Sequence, residues 1–446
     1  MSKQINTYTC LSLDDFGKGI IKDNKNTFFV DNLLPGEKAQ IETTFNYGKI
    51  KSAKVISLIT KSKDRVIPKC KYFSLCGGCS LMHLDYKKQL EYKRNKVKNL
   101  IHKFTNIDIE VNDTIPSSDI YNFRNKIQKP LGVSKGNPYF GYYQESSHKL
   151  IKIDECIIES ALSNKICDTI LKLIKKYKYN IYNEDTYIGN IRHILIKTSS
   201  FLKCLVTIVT KDENLKGRKE FAKELISYHP EIEGVVLNIN KNKTNVILGQ
   251  KEIPIYGKDF IKDKIFNYIF TISSSSFYQT NSSMVETLYR KAIELASLSK
   301  DDRVLDAYCG TGTIGISLSS KVKEVIGIEN NPSAIKDAFF NKKRNNINNI
   351  NFILDDATNY INKTDKRFDV IILDPPRKGT TKEFVFACKK IKPKKIIYIS
   401  CDPVTLARDL KYFLPEYKVE VVQPIDMFPH SYHVETVCLL TLKNQK

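Results

Sequence analysis

No stretch of the 446-residue chain approaches the length of a membrane-spanning helix, which excludes an integral helical membrane protein. The opening Met1-Ser2-Lys3-Gln4-Ile5-Asn6 lacks the apolar run of a secretory signal, so a cytoplasmic protein with no membrane attachment is expected. Acidic residues are scarce: 49 Asp and Glu stand against 71 Lys and Arg, a net charge of +22. That excess is large for an enzyme of a small acidic or neutral substrate and points to a polyanionic partner, nucleic acid first. Part of it is a general preference for Lys, Asn and Ile, visible in Lys342-Lys343-Arg344-Asn345-Asn346. In a cytoplasmic chain the eleven cysteines are poor candidates for disulfides and better ones for metal ligands or nucleophiles. Hydrophobic content of 41% suffices for ordinary cores, and the length predicts two to four domains.

Residues 5 to 59 alternate β-prone runs with Gly, Asn and Pro breaks, predicting about five short strands and a small closed barrel of the OB type. Its "FGKGI" and "LPGEKAQIE" stretches resemble a TRAM domain, an OB-like RNA-binding module. Beyond it, Cys70, Cys76 and Cys79 form C-x(5)-C-x(2)-C, with Gly77-Gly78 allowing the backbone to fold tightly around an inorganic centre. A tetrahedral site needs a fourth thiolate. Of Cys156, Cys167 and Cys204, Cys156 is the choice, because it ends a strand-like run; spacing leaves zinc and an iron–sulfur cluster equally open. Residues 81 to 104 predict a helix with Leu84, Leu90, Val97, Leu100 and Ile101 on one side. Lys87, Lys88, Lys93, Arg94, Lys96 and Lys98 are expected on the others, as a solvated face or a phosphate-contacting stripe.

The second half carries chemistry. "RVLDAYCGTGTIG" is an apolar strand running into a glycine-rich turn and a helix. "EVIGIEN" then predicts a strand ending at Glu329, placed for the ribose hydroxyls of an adenosine ligand. "NFILDDA" ends at Asp355-Asp356, suited to an adenine amino group, and "FDVIILDPPRKG" ends at Asp374-Pro375-Pro376. This is a βαβαβ series with an acid at each strand end. The next apolar run, Lys395-Ile396-Ile397-Tyr398-Ile399, delivers Cys401, and Asp402-Pro403 opens a helix behind it. A thiol there faces the ligand edge of the sheet, and the helix field is expected to favour its thiolate. A lone cysteine after an apolar strand is most often a small buried hydrophobe; the neighbouring motifs reverse that reading.

Order and spacing resemble a class I S-adenosylmethionine-dependent methyltransferase. "SFYQTN", "LDAYCGTGTIGI", "LDPPRKG", "ISCDPVTLARDL" and "DMFPHSYHVETV" together resemble the RNA uracil-5 methyltransferase family. The barrel and the cysteine motif resemble its iron–sulfur 23S ribosomal RNA branch, since the transfer-RNA branch typically has neither. The fold implied is multidomain α/β. It comprises a TRAM barrel (residues 1–60), a central α+β domain with a [4Fe–4S] cluster on Cys70, Cys76, Cys79 and Cys156 (61–272), and a Rossmann-like catalytic domain (273–446). The resemblance implies methyl transfer from S-adenosylmethionine to carbon 5 of a uridine in RNA, 23S rRNA first, by a chain expected to be monomeric. It makes Cys401 the nucleophile, Glu435 the base and Asp374 an orienting acid, with cofactor contacts from Gln279, Tyr308, Thr313, Glu329, Asp356 and Asp374. His430 and His433 need no catalytic role. Ser273-Ser274-Ser275-Ser276 departs from the family's pattern and is expected to loosen the approach to Gln279.

Three alternatives stand beside this. The same chemistry could act on tRNA. An adenine-amino methyltransferase also uses Asp-Pro-Pro, but places an aromatic residue where this chain has Arg377. A non-catalytic ribosome-assembly factor would keep the fold only as an RNA platform.

Overall fold

The computed structural model describes residues 5–145, 147–243 and 246–443; Met1 to Gln4, on which part of the N-terminal reading rests, lie outside them. Among the described residues no helix is long and apolar enough to cross a membrane.

The N-terminal strands are Ile5–Thr9, Ser12–Leu13, Gly19–Lys22, Thr27–Asp31, Lys38–Tyr47 and Ile50–Thr60. The first two are halves of one bent strand, interrupted only at Cys10 and Leu11. One half pairs with Lys38–Tyr47 and the other with Gly19–Lys22, which joins the two ends of the sheet order as a small barrel requires. Cys10, Ile21, Phe28, Val30 and Ile41 fill its interior.

The central sheet has seven strands, ordered Lys251–Gly257, Ile232–Ile239, Cys204–Thr210, Ile191–Thr198, Lys126–Ser134, Asn137–Tyr143 and Leu150–Lys152. Helices Ala161–Lys176 and Arg218–Tyr228 contribute to its core. Two stretches expected in this domain share the catalytic core instead. Val97, Leu100 and Ile101 of helix Tyr86–Thr105 pack with Leu406, Leu410 and Phe413, and hairpin strands Phe260–Ile265 and Tyr268–Ser273 pack under helix Ser282–Ala296.

The C-terminal sheet runs Ile350–Leu354, Glu324–Glu329, Arg303–Ala307, Val370–Leu373, Lys395–Ser400, Glu435–Leu442 and Tyr417–Ile425. The first five are parallel and the sixth is antiparallel to its neighbours. Their continuous apolar runs reflect burial on both faces. Because the sixth strand is reversed, its beginning lies at the same edge as the carboxyl ends of the parallel five. Helix Pro403–Phe413 starts as expected, with Asp402 as cap and Pro403 in the first turn.

Candidate active site

That edge opens into a cavity of about 880 Å³. Gln279, Tyr308, Thr313, Glu329, Asp356, Asp374, Cys401 and Glu435, singled out from separate stretches of sequence, all line it.

One part of the wall is built from backbone and carboxylates. After strand Arg303–Ala307 the chain turns through Gly310 and Gly312, both in the left-handed region at φ +54° and +81°. A Cβ on Gly312 would run into Phe352, so only glycine fits there, while at Gly310 it would meet nothing within 4 Å. Glu329 braces this turn: its two oxygens accept from the N–H groups of Gly310 (3.0 Å) and Asn331 (2.8 Å). Asp356 caps helix Ala357–Lys363 by accepting from Thr358 and Asn359. Tyr308 shares a hydrogen bond with Thr380 and Thr313 one with Tyr289, each 2.9 Å, which fixes both side chains.

The other part carries the reactive groups. Ser400 lies opposite Thr436 in the strand pair, so Cys401 and Glu435, one residue beyond each, leave the sheet side by side. Asp374 follows the neighbouring strand. Burial pushes Glu435 up to about 8, with Asp374 adding to the rise and Arg377 opposing it. Burial alone lifts Asp374 to about 7. The Cys401 thiol is pushed up to about 12 by burial, then by Glu435 and Asp374, against the pull of Arg377. The expected stabilisation of its thiolate by the helix terminus is therefore not realised in the free protein. Burial and the two carboxyls outweigh the helix field, and Asp402 accepts the N–H groups of Val404 and Thr405, so donors of that helix end are already taken.

The central region supplies supports that sequence reasoning placed elsewhere. Lys93 and Lys96 are buried, not solvated. The Lys93 ammonium pairs with the fully buried Asp426 and donates to the Phe428 carbonyl (2.9 Å), while Lys96 donates to the Tyr432 carbonyl (3.0 Å). Gln89 accepts from the His430 N–H (2.9 Å), and the His430 carbonyl accepts from Ser80 and Leu81. One helix thus holds residues 426–433, the segment leading into Glu435. His430 is buried within this network, and His433 lines the cavity. Lys197, buried in the central sheet, donates to the carbonyls of Ser273 (2.6 Å) and Ser276 (2.7 Å). The serine run is clamped rather than loosened.

The four motif cysteines gather beside the same cavity, whose wall includes Gly77, Gly78, Phe123, Arg124 and Ile158. Cys70, Cys79 and Cys156 pack against Met82, Phe123 and Ile158, and Cys76 bears electrostatically on Cys79 and Cys156. Asn164 fixes Cys156 by bonding both its backbone N–H and its carbonyl. Burial, reinforced by the other three sulfurs, drives the Cys79 thiol well above the usual range. Among the described residues no group of three or more His, Cys, Asp or Glu side chains is arranged to hold a metal ion.

The sheet order, the glycine turn after its first strand and the acids at the strand ends define a Rossmann-like methyltransferase domain. A family model, tRNA (uracil-5-)-methyltransferase, matches residues 85–443. Proteins described as uncharacterized RNA methyltransferases are similar over nearly their whole length. The one from Clostridium tetani is 40% identical over 96% of this chain and 95% of its own, and that from Clostridium acetobutylicum is 40% identical over 98% and 97%. The crystal structure of Pyrococcus abyssi tRNA (uracil-54, C5)-methyltransferase in complex with S-adenosyl-L-homocysteine superposes with a TM-score of 0.79. It is 29% identical and covers 98% of this chain and 99% of that one. The chain belongs to the tRNA (uracil-5-)-methyltransferase family and is an RNA methyltransferase.

Proposed function

We propose that this protein transfers the methyl group of S-adenosylmethionine to carbon 5 of a uridine in RNA through a covalent adduct with Cys401. The observation that carries the reading is the meeting of Cys401, Glu435 and Asp374 on the cavity that also holds Glu329, Asp356 and the glycine turn. A thiol, two carboxyls and an adenosine-sized cradle in one enclosure suit this reaction. The cofactor would be held by Glu329 at the ribose and Asp356 at the adenine, with Gln279, Tyr308 and Thr313 on the same wall, and would supply an electrophilic methyl group.

The protein's own residues do the rest. Carbon 5 of uracil is a weak nucleophile until the Cys401 sulfur, its proton passed to the Asp374 carboxylate or to solvent, bonds to carbon 6, which turns the ring into an enolate with carbanion character at carbon 5. After methylation that carbon still bears a proton. Glu435 removes it as a carboxylate, and the electron pair restores the 5,6 double bond and expels the sulfur. Asp374 orients the uracil. A base within a helix cannot reach the cavity, so the target is flipped out or lies in a loop.

Four thiolates suit a zinc ion or an iron–sulfur cluster equally well. The resemblance to the iron–sulfur branch of the family is what favours a [4Fe–4S] cluster on these cysteines. Its role is structural: bound to Cys70, Cys76, Cys79 and Cys156, it would pin the loop carrying Gly77 and Gly78 into the cavity wall, with no redox step.

We infer 23S rRNA as the substrate, in the cytoplasm, with the protein a monomer. A tRNA substrate is the second reading. It is favoured by the Pyrococcus abyssi structure, whose match spans this chain's N-terminal barrel and so weakens that barrel as a mark of the ribosomal branch. The test is mass-spectrometric mapping of 5-methyluridine in unmodified 23S rRNA and tRNA, each treated with anaerobically purified protein and S-adenosylmethionine. New 5-methyluridine in 23S rRNA, absent with Cys401→Ala, is the expected result. Product in tRNA alone moves the substrate, and product in neither, with cofactor bound, overturns the methylation reading.

A further inference from the structure

A second cavity, of about 380 Å³, is lined by Phe201, Lys203, Glu233, Lys262, Ile269 and Arg344. Phe201 and Lys203 come from the turn between two central strands, Lys262 and Ile269 from the hairpin, and Arg344 from the last turn of helix Pro332–Arg344. Three cations face one carboxylate, and that carboxylate, Glu233, already has Lys258 at 3.8 Å. The Arg344 guanidinium lies over the Phe340 ring at 4.9 Å, and its Nε is buried without a hydrogen-bond partner among the described residues. Three cations against one carboxylate that is already paired favour an oxyanion in this cavity.

The same helix ties this cavity to the catalytic one. Ser333 and Ala334, in its first turn, line the catalytic cavity, while Arg344 lines the second, about 17 Å further along the axis. Between them Lys336, Phe339, Phe340 and Lys343 are exposed, at spacings that share one face of the helix. Phe339 packs on Phe352 and Phe340 on Phe260, yet the two phenylalanines remain 47% and 45% exposed. Cations interleaved with open aromatic rings are what a single strand of nucleic acid requires, phosphates for the former and bases for the latter.

We propose that this face is a second RNA-binding site. RNA flanking the target uridine runs along helix Pro332–Arg344, and one of its phosphates seats among Lys203, Lys262 and Arg344. The assignment rests on the RNA methyltransferase reading above and says where RNA outside the catalytic cavity lies.

The test compares full-length wild type with Lys262→Glu and with Lys336→Glu/Lys343→Glu, using filter binding to a 23S rRNA transcript and to unmodified tRNA. With whichever RNA the wild type methylates, each variant is expected to bind about tenfold more weakly at 0.1 M salt. For the double variant the slope of log Kd against log salt should fall by about 1.4, two phosphate contacts on a single strand. S-adenosylmethionine binding and the rate at saturating RNA should stay at wild-type values. Unchanged Kd and slope, with wild type still methylating, would overturn this site and leave the functional reading intact. Wild type that neither binds RNA nor forms 5-methyluridine would sink that reading and this site with it. Variants with normal RNA binding that no longer cosediment with ribosomal particles would replace the RNA assignment with a protein contact.

Discussion

Cys401 lines the catalytic cavity and Cys79 follows Gly77 and Gly78 of its wall; burial raises both thiols, but the second contribution differs. At Cys401 it comes from the carboxyls of Glu435 and Asp374; at Cys79 it comes from the sulfurs of Cys156, Cys76 and Cys70. A thiol among carboxyls has proton acceptors beside it and no shared cation to wait for, which suits covalent chemistry on a bound base. A thiol among thiols is relieved only when one positive centre accepts them all. The kind of neighbour, more than the height of the pKa, separates a nucleophile from a ligand.

The sharpest way to break this contrast is to remove one sulfur from each set. Cys401→Ala is expected to lower methylation at least about 10⁴-fold, while cofactor binding by calorimetry and iron content stay at wild-type levels. A variant that kept activity would take covalent catalysis off this thiol. Glu435→Gln comes next, with a loss of about 10² to 10⁴ in turnover. If the glutamate acts after methyl transfer, a protein–RNA adduct should accumulate on denaturing gels, methylated in its uracil ring. Loss of activity with no adduct would place Glu435 before the addition step. Cys156→Ser should act in the opposite sense to Cys401→Ala. Iron and its visible absorbance disappear, the melting temperature falls, and activity drops about tenfold through the loosened wall at Gly77 and Gly78. Retained iron in this variant would exclude Cys156 as a ligand.

Much of the catalytic domain was legible because its grammar is local. Apolar runs bounded by Gly310, Asp374-Pro375 and Asp402-Pro403 mark strands buried on both faces and the turns that end them, and the acids at those ends fall on one cavity. The supports were hidden because their partners lie more than three hundred residues away, Lys93 on Asp426 and Gln89 on His430. A weaker signal was present. Lys93 sits three residues after Leu90 and four before Val97, on the apolar stripe itself, and a lysine at that position calls for a buried acid rather than solvent. Lys197 gave no comparable sign, since it follows the apolar run Ile194-Leu195-Ile196 near the end of its strand, where solvent is the ordinary expectation. The thiol environment at Cys401 was hidden for a similar reason: burial and the carboxyls of Glu435 and Asp374 raise it, and both acids come from other stretches of the chain.

The smallest expected effect probes the charge balance around Cys401. Glu435 must be ionised to act as base, and burial with Asp374 holds it up near 8. Because Glu435 acts after the irreversible methyl transfer, it is kcat, with proton removal limiting turnover, that should rise with pH in this range and fall about tenfold per unit below it. Arg377 is the one cation among the causes at both Cys401 and Glu435, and it lowers both. Arg377→Met removes that opposition, so the rising limb should move to higher pH, the direction fixed by the loss of positive charge next to a carboxylate. Because Arg377 is exposed, solvent screens it, and the displacement should be about half a unit, roughly a threefold loss at pH 7.5. It should shrink further as salt rises, and profiles at low and high ionic strength would show this. A limb that stayed in place would mean that Arg377 touches the RNA rather than tuning the acid. Loss of a positive charge raises the pKa of any neighbouring group, so a limb moving to lower pH would mean that Arg377 does not act on Glu435 through its charge.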